Sequence, residues 1–148
     1  MFKRLSQSFA IVGLLAVSAT ALAHHSTAGY DFSKSVELNG TVKSFQWTNP
    51  HNFIQVMVPD GKGGQVEWAV EAGAPEMARR LGWTKTAIKP GDRITLVVAP
   101  MRNGNPEGTL KSAKLPDGRM VYGPGNRPAN APTQSVVPSL ERATTDAH

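Results

Sequence analysis

The sequence predicts a mainly β domain, a small OB-like Greek-key barrel of five to six strands with one short helix between the third and fourth strands. Three observations carry this. Between residues 36 and 122, short runs alternate apolar and polar side chains, the mark of strands with one buried face. Clusters of turn formers such as "PDGKGG" and "KPGD" separate the runs. One segment, "GAPEMARRLGW", abandons the two-residue period after the third run, where an OB-fold carries the helix that plugs its barrel. A single antiparallel meander closed on one helix gives the same order of elements, so order alone leaves both open.

The first strand comes from "VELNGTVKSFQW". Val36, Leu38, Gly40 and Val42 share one face, the phase then changes at Phe45 and Trp47, and Gly40 suggests a bend or bulge. In "NFIQVMV", Ile54, Val56 and Val58 face one way, and Phe53, Gln55 and Met57 the other. "QVEWAVE" completes a hairpin, with Val66, Trp68 and Val70 inward and Glu67, Ala69 and Glu71 on a polar outer face. In the helix, Pro75 suits the first turn, Met77 and Leu81 lie on one side, Arg79 and Arg80 complement the C-terminal dipole, and Gly82 caps. Trp83 follows the cap and is expected over the barrel end. "RITLVVAP" places Ile94, Leu96 and Val98 inward as the fourth strand; "TLKSAKL" is a fifth of less clear facing, and "RMVYG" a short last one.

Either side of the barrel the composition changes. Lys3 and Arg4 precede the apolar run "FAIVGLLAV", which is too short to span a bilayer, and "ALA" (Ala21 to Ala23) supplies small residues for a signal peptidase. Residues 1–23 are therefore expected to be a removed signal peptide, 24–35 an arm on the domain, 36–122 the barrel and 123–148 a disordered Pro-rich tail. The expected product is periplasmic or secreted, without a stable membrane anchor. With no cysteine among 148 residues there is no disulfide, thiolate metal site or lipid attachment. Loss of Lys3 and Arg4 lowers the formal net charge from +5 to +3, a thin excess without basic runs that disfavours nucleic acid as a partner.

Taken in order, "HHSTAGYD", "LNGTVKSFQWTNPH", "VEWAVE", "RRLGW" and "KPGD" resemble a family of small exported bacterial proteins known only as a domain of unknown function. The resemblance spans roughly residues 24–120. It implies an envelope location and a small β-barrel, and it brings no activity or ligand.

Chemistry centres on the histidines. Cleavage after Ala23 makes His24 the first residue, and its amine and imidazole, which titrate near ~8 and ~6.5 in free form, can chelate one ion at neutral pH. His25 stands beside it. His51, in the "TNPHN" loop between the first two strands, is the histidine of the folded part that can complete the site. An extended arm from His24 to Val36 spans roughly 40 Å at ~3.3 Å per residue, so reach is no obstacle. Asp31 is a further candidate ligand, with Glu67 or Glu71 behind it. Nitrogen donors favour Cu(II), with Ni(II) and Zn(II) after it. "ATA" (Ala19 to Ala21) is a second candidate cleavage site, and cutting there puts His24 third, where the amine, two backbone amides and imidazole bind square-planar Cu(II) without His51. The competing reading is plain: histidines on an arm take up stray metal, and His51 beside Pro50 is a turn residue.

Two further function classes stay open. A cell-envelope interaction module would present Trp47, Asn49 and Phe53, with Met57, to a peptide, a glycan or another protein, unless Trp47 merely covers the bend. A redox enzyme on the same copper is the third. Glu67 and Glu71 stand roughly 13 Å apart on one strand, too far to act jointly on one bond. With no cysteine nucleophile, Gly-rich phosphate loop or Gly-x-Ser-x-Gly, no enzyme is predicted.

Overall fold

The structure is a computed structural model that describes residues 27–131. The expected signal segment, His24 and His25, and the chain after Ala131 lie outside the described residues. A 3-10 turn at Thr27–Gly29 precedes β1 (Val36–Gln46), β2 (Phe53–Pro59), β3 (Gln65–Glu71), α1 (Pro75–Arg80), β4 (Arg93–Pro100), β5 (Glu107–Lys114) and β6 (Met120–Tyr122).

The strands close into a five-stranded barrel in the order β1-β2-β3-β5-β4 and back to β1. All these pairings are antiparallel except β3 with β5, where Ala69, Val70 and Glu71 lie opposite Glu107, Gly108 and Thr109 in parallel. That parallel seam separates an OB-like Greek key from a meander, because a meander makes only antiparallel neighbours. Strand β6 takes the side of β5 that β3 leaves, at Ser112 to Lys114. The strand faces expected to be inward supply the core: Leu38, Val42, Ile54, Val56, Val70, Ile94, Leu96 and Val98 are buried, and β5 adds Leu110, for which no facing was expected. Each such aliphatic side chain contributes about 1.5–3 kcal/mol by leaving water.

The barrel end is plugged by α1 and the residues after it. Trp83 N–H bonds Ala78 O and Gly82 N–H bonds Arg79 O, a Schellman arrangement that needs the positive φ of Gly82, +93°. This turn drops Trp83 into the core, where its Nε1 donates to Tyr122 O at 3.2 Å and its ring lies 5.7 Å from that of Phe45. On α1 itself the buried residues are Pro75 and Ala78, and Met77 is 44% exposed, contrary to the expected placing of Met77 with Leu81 on one side.

Two more expectations need correcting. Strand β3 leaves Val66 38% exposed, because β5 flanks β3 only from Ala69 onward and the hairpin end projects past the barrel. The bulge in β1 falls at Lys43, between the pairs Val42/Val56 and Ser44/Gln55, and not at Gly40. Gly40 instead lets β2 approach: a Cβ there would stand 2.5 Å from Met57 O and 2.6 Å from Val56 Cγ2. A second bulge, at Lys111 between the pairs Val97/Ser112 and Val98/Leu110, explains why β5 showed no steady alternation.

Both ends of the chain engage the barrel. In the arm, Tyr30 bridges to Met101, Asp31 N–H bonds Pro100 O and Arg102 N–H bonds Gly29 O. The bulged Lys111 turns its ammonium to Phe32 O, Lys34 O and Ser35 Oγ. Past Tyr122, Gly123 N–H bonds the carbonyl of Lys111, and Pro124 packs where a side chain at Gly73 would lie.

Candidate functional site

His51 belongs to the loop between β1 and β2, and the backbone on both sides of it is tied. Thr48 Oγ1 donates to His51 O at 3.1 Å. Next to it, Asn52 N–H donates to Gly73 O at 2.8 Å, and Asn52 O accepts from Ala72 N–H at 2.9 Å, which extends the β2-β3 ladder past its formal end. Asn52 is fully buried, so alternation turns His51 and Phe53 to the outer face. The enclosed carboxamide of Asn52 has no hydrogen-bond partner among the described residues.

On that outer face the ring meets Glu71, the last residue of β3. His51 Nδ1 stands 2.8 Å from Glu71 Oε1, and Tyr30 OH donates to Glu71 Oε2 at 3.0 Å. Two lone pairs do not face each other at 2.8 Å, so Nδ1 carries a proton and donates it in a hydrogen bond to Glu71 Oε1. The expected solvated outer face of β3 therefore holds for Glu67, which pairs with Lys43, and fails for Glu71, whose side chain is only 12% exposed. Tyr30 and the arm lie over it. Burial first, then the charge of Glu71, its hydrogen bond and the charge of Glu107, push the Tyr30 phenol far above the usual tyrosine range, so it remains a donor.

Beside this trio an open pocket of about 430 Å³ is walled by His51, Glu71, Thr27, Phe32, Gly73, Ala74, Met77, Thr109 and Pro124. Its polar groups are concentrated in the His51–Glu71 pair, and Phe32 and Met77 give it an apolar rim. Another depression, at Asn39, Arg93, Thr95 and Lys114, contains no imidazole or carboxylate. Through Thr27 the pocket also touches the point where the described chain begins. His25 precedes Thr27 by two residues.

The remaining candidate residues are placed elsewhere. Asp31 accepts from Ser33 N–H and Oγ, and pairs with Lys34 at 3.3 Å and Arg102 at 3.9 Å. The Ser33 hydroxyl first, then Lys34 and Arg102, hold its carboxyl below the usual range against the opposing effect of desolvation. Its oxygens thus face arm groups and Arg102. Trp47 is half-buried, edge-on to Phe45 at 5.7 Å and beneath the Arg79 guanidinium at 5.6 Å. Asn49 is exposed, and Phe53 is half-buried opposite Glu71. Among the described residues no three His, Asp or Glu side chains converge to hold a metal ion, and no helix is long and apolar enough to cross a membrane. The structural roles of Tyr30 and Met77 had no sequence signal of their own beyond the presence of Tyr30 in the "HHSTAGYD" motif.

The fold and this edge pocket define a small OB-type barrel whose arm packs beside a histidine–carboxylate–tyrosine trio. The chain belongs to DUF6152, a family of unknown function, whose model matches residues 11–112. Neither the curated proteins nor the solved structures contain a match.

Proposed function

We propose that this is an exported protein of the cell envelope that binds a transition-metal ion, Cu(II) foremost, through the N-terminal His24 and His25 together with His51. The observation that supports it most is that one pocket is walled both by His51 and by Thr27, two residues after His25. The arm that would carry the chelating terminus therefore starts at the pocket that His51 lines. An amine and imidazole from His24 closed by a folded-domain imidazole make a nitrogen-rich set, which ranks Cu(II) above Ni(II) and Zn(II). Asp31, committed to Ser33, Lys34 and Arg102, is left out of the proposed set.

Docking of a peptide, glycan or protein at Trp47, Phe53 and Met57 has less support, because Phe45 and Arg79 already cover much of Trp47. The test begins with the intact mass of the exported protein, which fixes its first residue. Cu(II) is then titrated into that species and into its His24→Ala and His51→Ala variants. The proposal expects submicromolar affinity for the parent protein and at least tenfold weaker binding in each variant. Affinity no tighter than micromolar, or unchanged by both substitutions, contradicts it.

A further inference from the structure

Where β1, β4 and β5 adjoin, the outer face of the barrel carries a row of polar side chains. Thr95 of β4 stands opposite Asn39 of β1 on one side and Lys114 of β5 on the other, and Arg93 precedes it by two residues. Leu38, Ile94, Leu96, Ala113 and Leu115, which flank these positions in sequence, are buried, so alternation turns all four outward. Arg93 and Lys114 are thus diagonal neighbours across the β4-β5 pair, a separation of about 7–8 Å that long side chains bridge. Together with Asn39, Thr95 and Pro116 they wall a depression of about 240 Å³.

The neutral side chains of this depression satisfy one another. Thr95 Oγ1 donates to Asn39 Oδ1 at 2.7 Å, and Asn39 Nδ2 donates to Glu37 Oε1 at 2.8 Å. Of the carboxylates nearby in sequence, Asp92 is paired with Lys89 and Asp117 with Arg119. Elsewhere Lys34, Lys43, Arg79 and Arg80 each meet a carboxylate too. Among the described residues, neither Arg93 nor Lys114 has a hydrogen-bond or ion-pair partner. The unmet hydrogen-bonding capacity of the depression is therefore donor in kind and doubly positive: the N–H groups of a guanidinium and those of an ammonium.

We infer that this depression is a binding site for a phosphate group. A dianionic phosphate carries only acceptors and matches the two charges. The guanidinium can take two of its oxygens side by side, and the ammonium serves as a point charge for a third. A carboxylate offers one charge to two cations, a neutral ligand uses neither, and a metal cation is repelled. The volume lies below the roughly 300–1,000 Å³ of sites that enclose a whole organic ligand, so the fit is to a head group and not to a complete molecule. No lining residue is shared with the His51 pocket, and the site is independent of the metal-binding reading.

The test titrates inorganic phosphate into the isotope-labelled, metal-free exported protein at pH 8, where phosphate is dianionic. Ionic strength is held constant with potassium chloride, so that screening does not imitate binding. The expected result is a saturable change in backbone amide resonances confined to residues 39–40, 93–95 and 113–115, with a dissociation constant on the order of 1 mM. Arg93→Gln and Lys114→Gln each remove one charge from an exposed position and are expected to weaken binding by about tenfold or more. Lys62→Gln, in the turn between β2 and β3, is the control and leaves the constant unchanged. Glycerol 2-phosphate distinguishes the sources of the group. Binding at least as tight as that of inorganic phosphate assigns the site to a phosphate carried on a larger molecule, and weaker binding assigns it to the free ion; both outcomes sustain the site.

Changes that rise linearly without saturating, or that spread equally to Lys62 and Lys85, overturn the inference from the parent protein alone. A constant left unaltered by both substitutions overturns it as well. If one variant loses the dispersed amide spectrum of the folded barrel, the other carries the same contrast.

Discussion

Lys111 donates to the backbone carbonyl of Lys34 at 2.7 Å, so a bulge in β5 holds the arm that precedes β1. The same ammonium reaches Phe32 O at 3.0 Å and Ser35 Oγ at 2.9 Å, which uses all three of its donors. Lys111→Met keeps the stem and removes these bonds. On a half-exposed surface the loss is on the order of 1–2 kcal/mol, concentrated in the arm. Hydrogen exchange should show faster exchange at residues 27–35 with the barrel strands unchanged; uniform protection in arm and barrel would contradict the tether.

Gly40 stands where β1 lies against β2. Its missing Cβ would meet Met57 O and Val56 Cγ2, one of them backbone, so relief requires strand separation and not a rotamer change. Gly40→Ala is expected to cost about 1–3 kcal/mol, the range of overpacked cores, read as a lower urea midpoint at unchanged slope. A midpoint equal to that of the parent would show that the strands yield without strain.

Asp92 and Asp117 set an acid limit. The Lys89 ammonium first, and then the Lys89 N–H, hold Asp92 below the usual carboxylate range; the Arg119 N–H first, and then its guanidinium, do so for Asp117. Carboxyls with a lower value folded than unfolded stabilise the fold fully above their unfolded value, near ~3.9, and that stabilisation is lost as pH falls through the folded values. The melting temperature should therefore hold from neutral pH to about pH 4 and fall below it. Asp92→Asn should melt lower than the parent at pH 7, with the difference narrowing toward pH 2. A difference that stays constant with pH would remove the carboxylate charge from the explanation.

Asn52 buries a carboxamide for which the described residues supply no partner. Leaving such a group enclosed costs about 1–3 kcal/mol, whereas an apolar side chain of the same shape does not. Asn52→Leu should match or exceed the melting temperature of the parent, by calorimetry. A clear loss of stability would mean that the amide is satisfied by bound solvent and that the water belongs to the fold.

Much of the barrel was legible because alternation records burial directly. Ile54, Val56, Ile94, Leu96 and Val98 fall on the faces that the two-residue period assigns. The helix was legible from Pro75 and Gly82, whose backbone constraints act locally. What alternation does not record is what lies over the outer face. Glu67 and Glu71 occupy equivalent positions on β3, yet one pairs with a bulge lysine at the surface and the other lies beneath the arm, a difference made by Tyr30, forty-one residues away. Bulges hide in the same way: Lys43 and Lys111 each shift the phase by one residue, and only the partner strand reveals it. His51 was identified as a candidate from its loop, and its acidic partner emerged only once the parallel seam and the arm were in place.

The most direct test of the metal site is a crystal structure of the mature protein loaded with one equivalent of Cu(II), with the ion located by anomalous scattering at the copper edge. The account predicts a single peak in the pocket, about 2 Å from His51 Nε2 and from the amine and imidazole of His24. A peak held by the N-terminal residues alone, with His51 Nε2 beyond ligand distance, would contradict it.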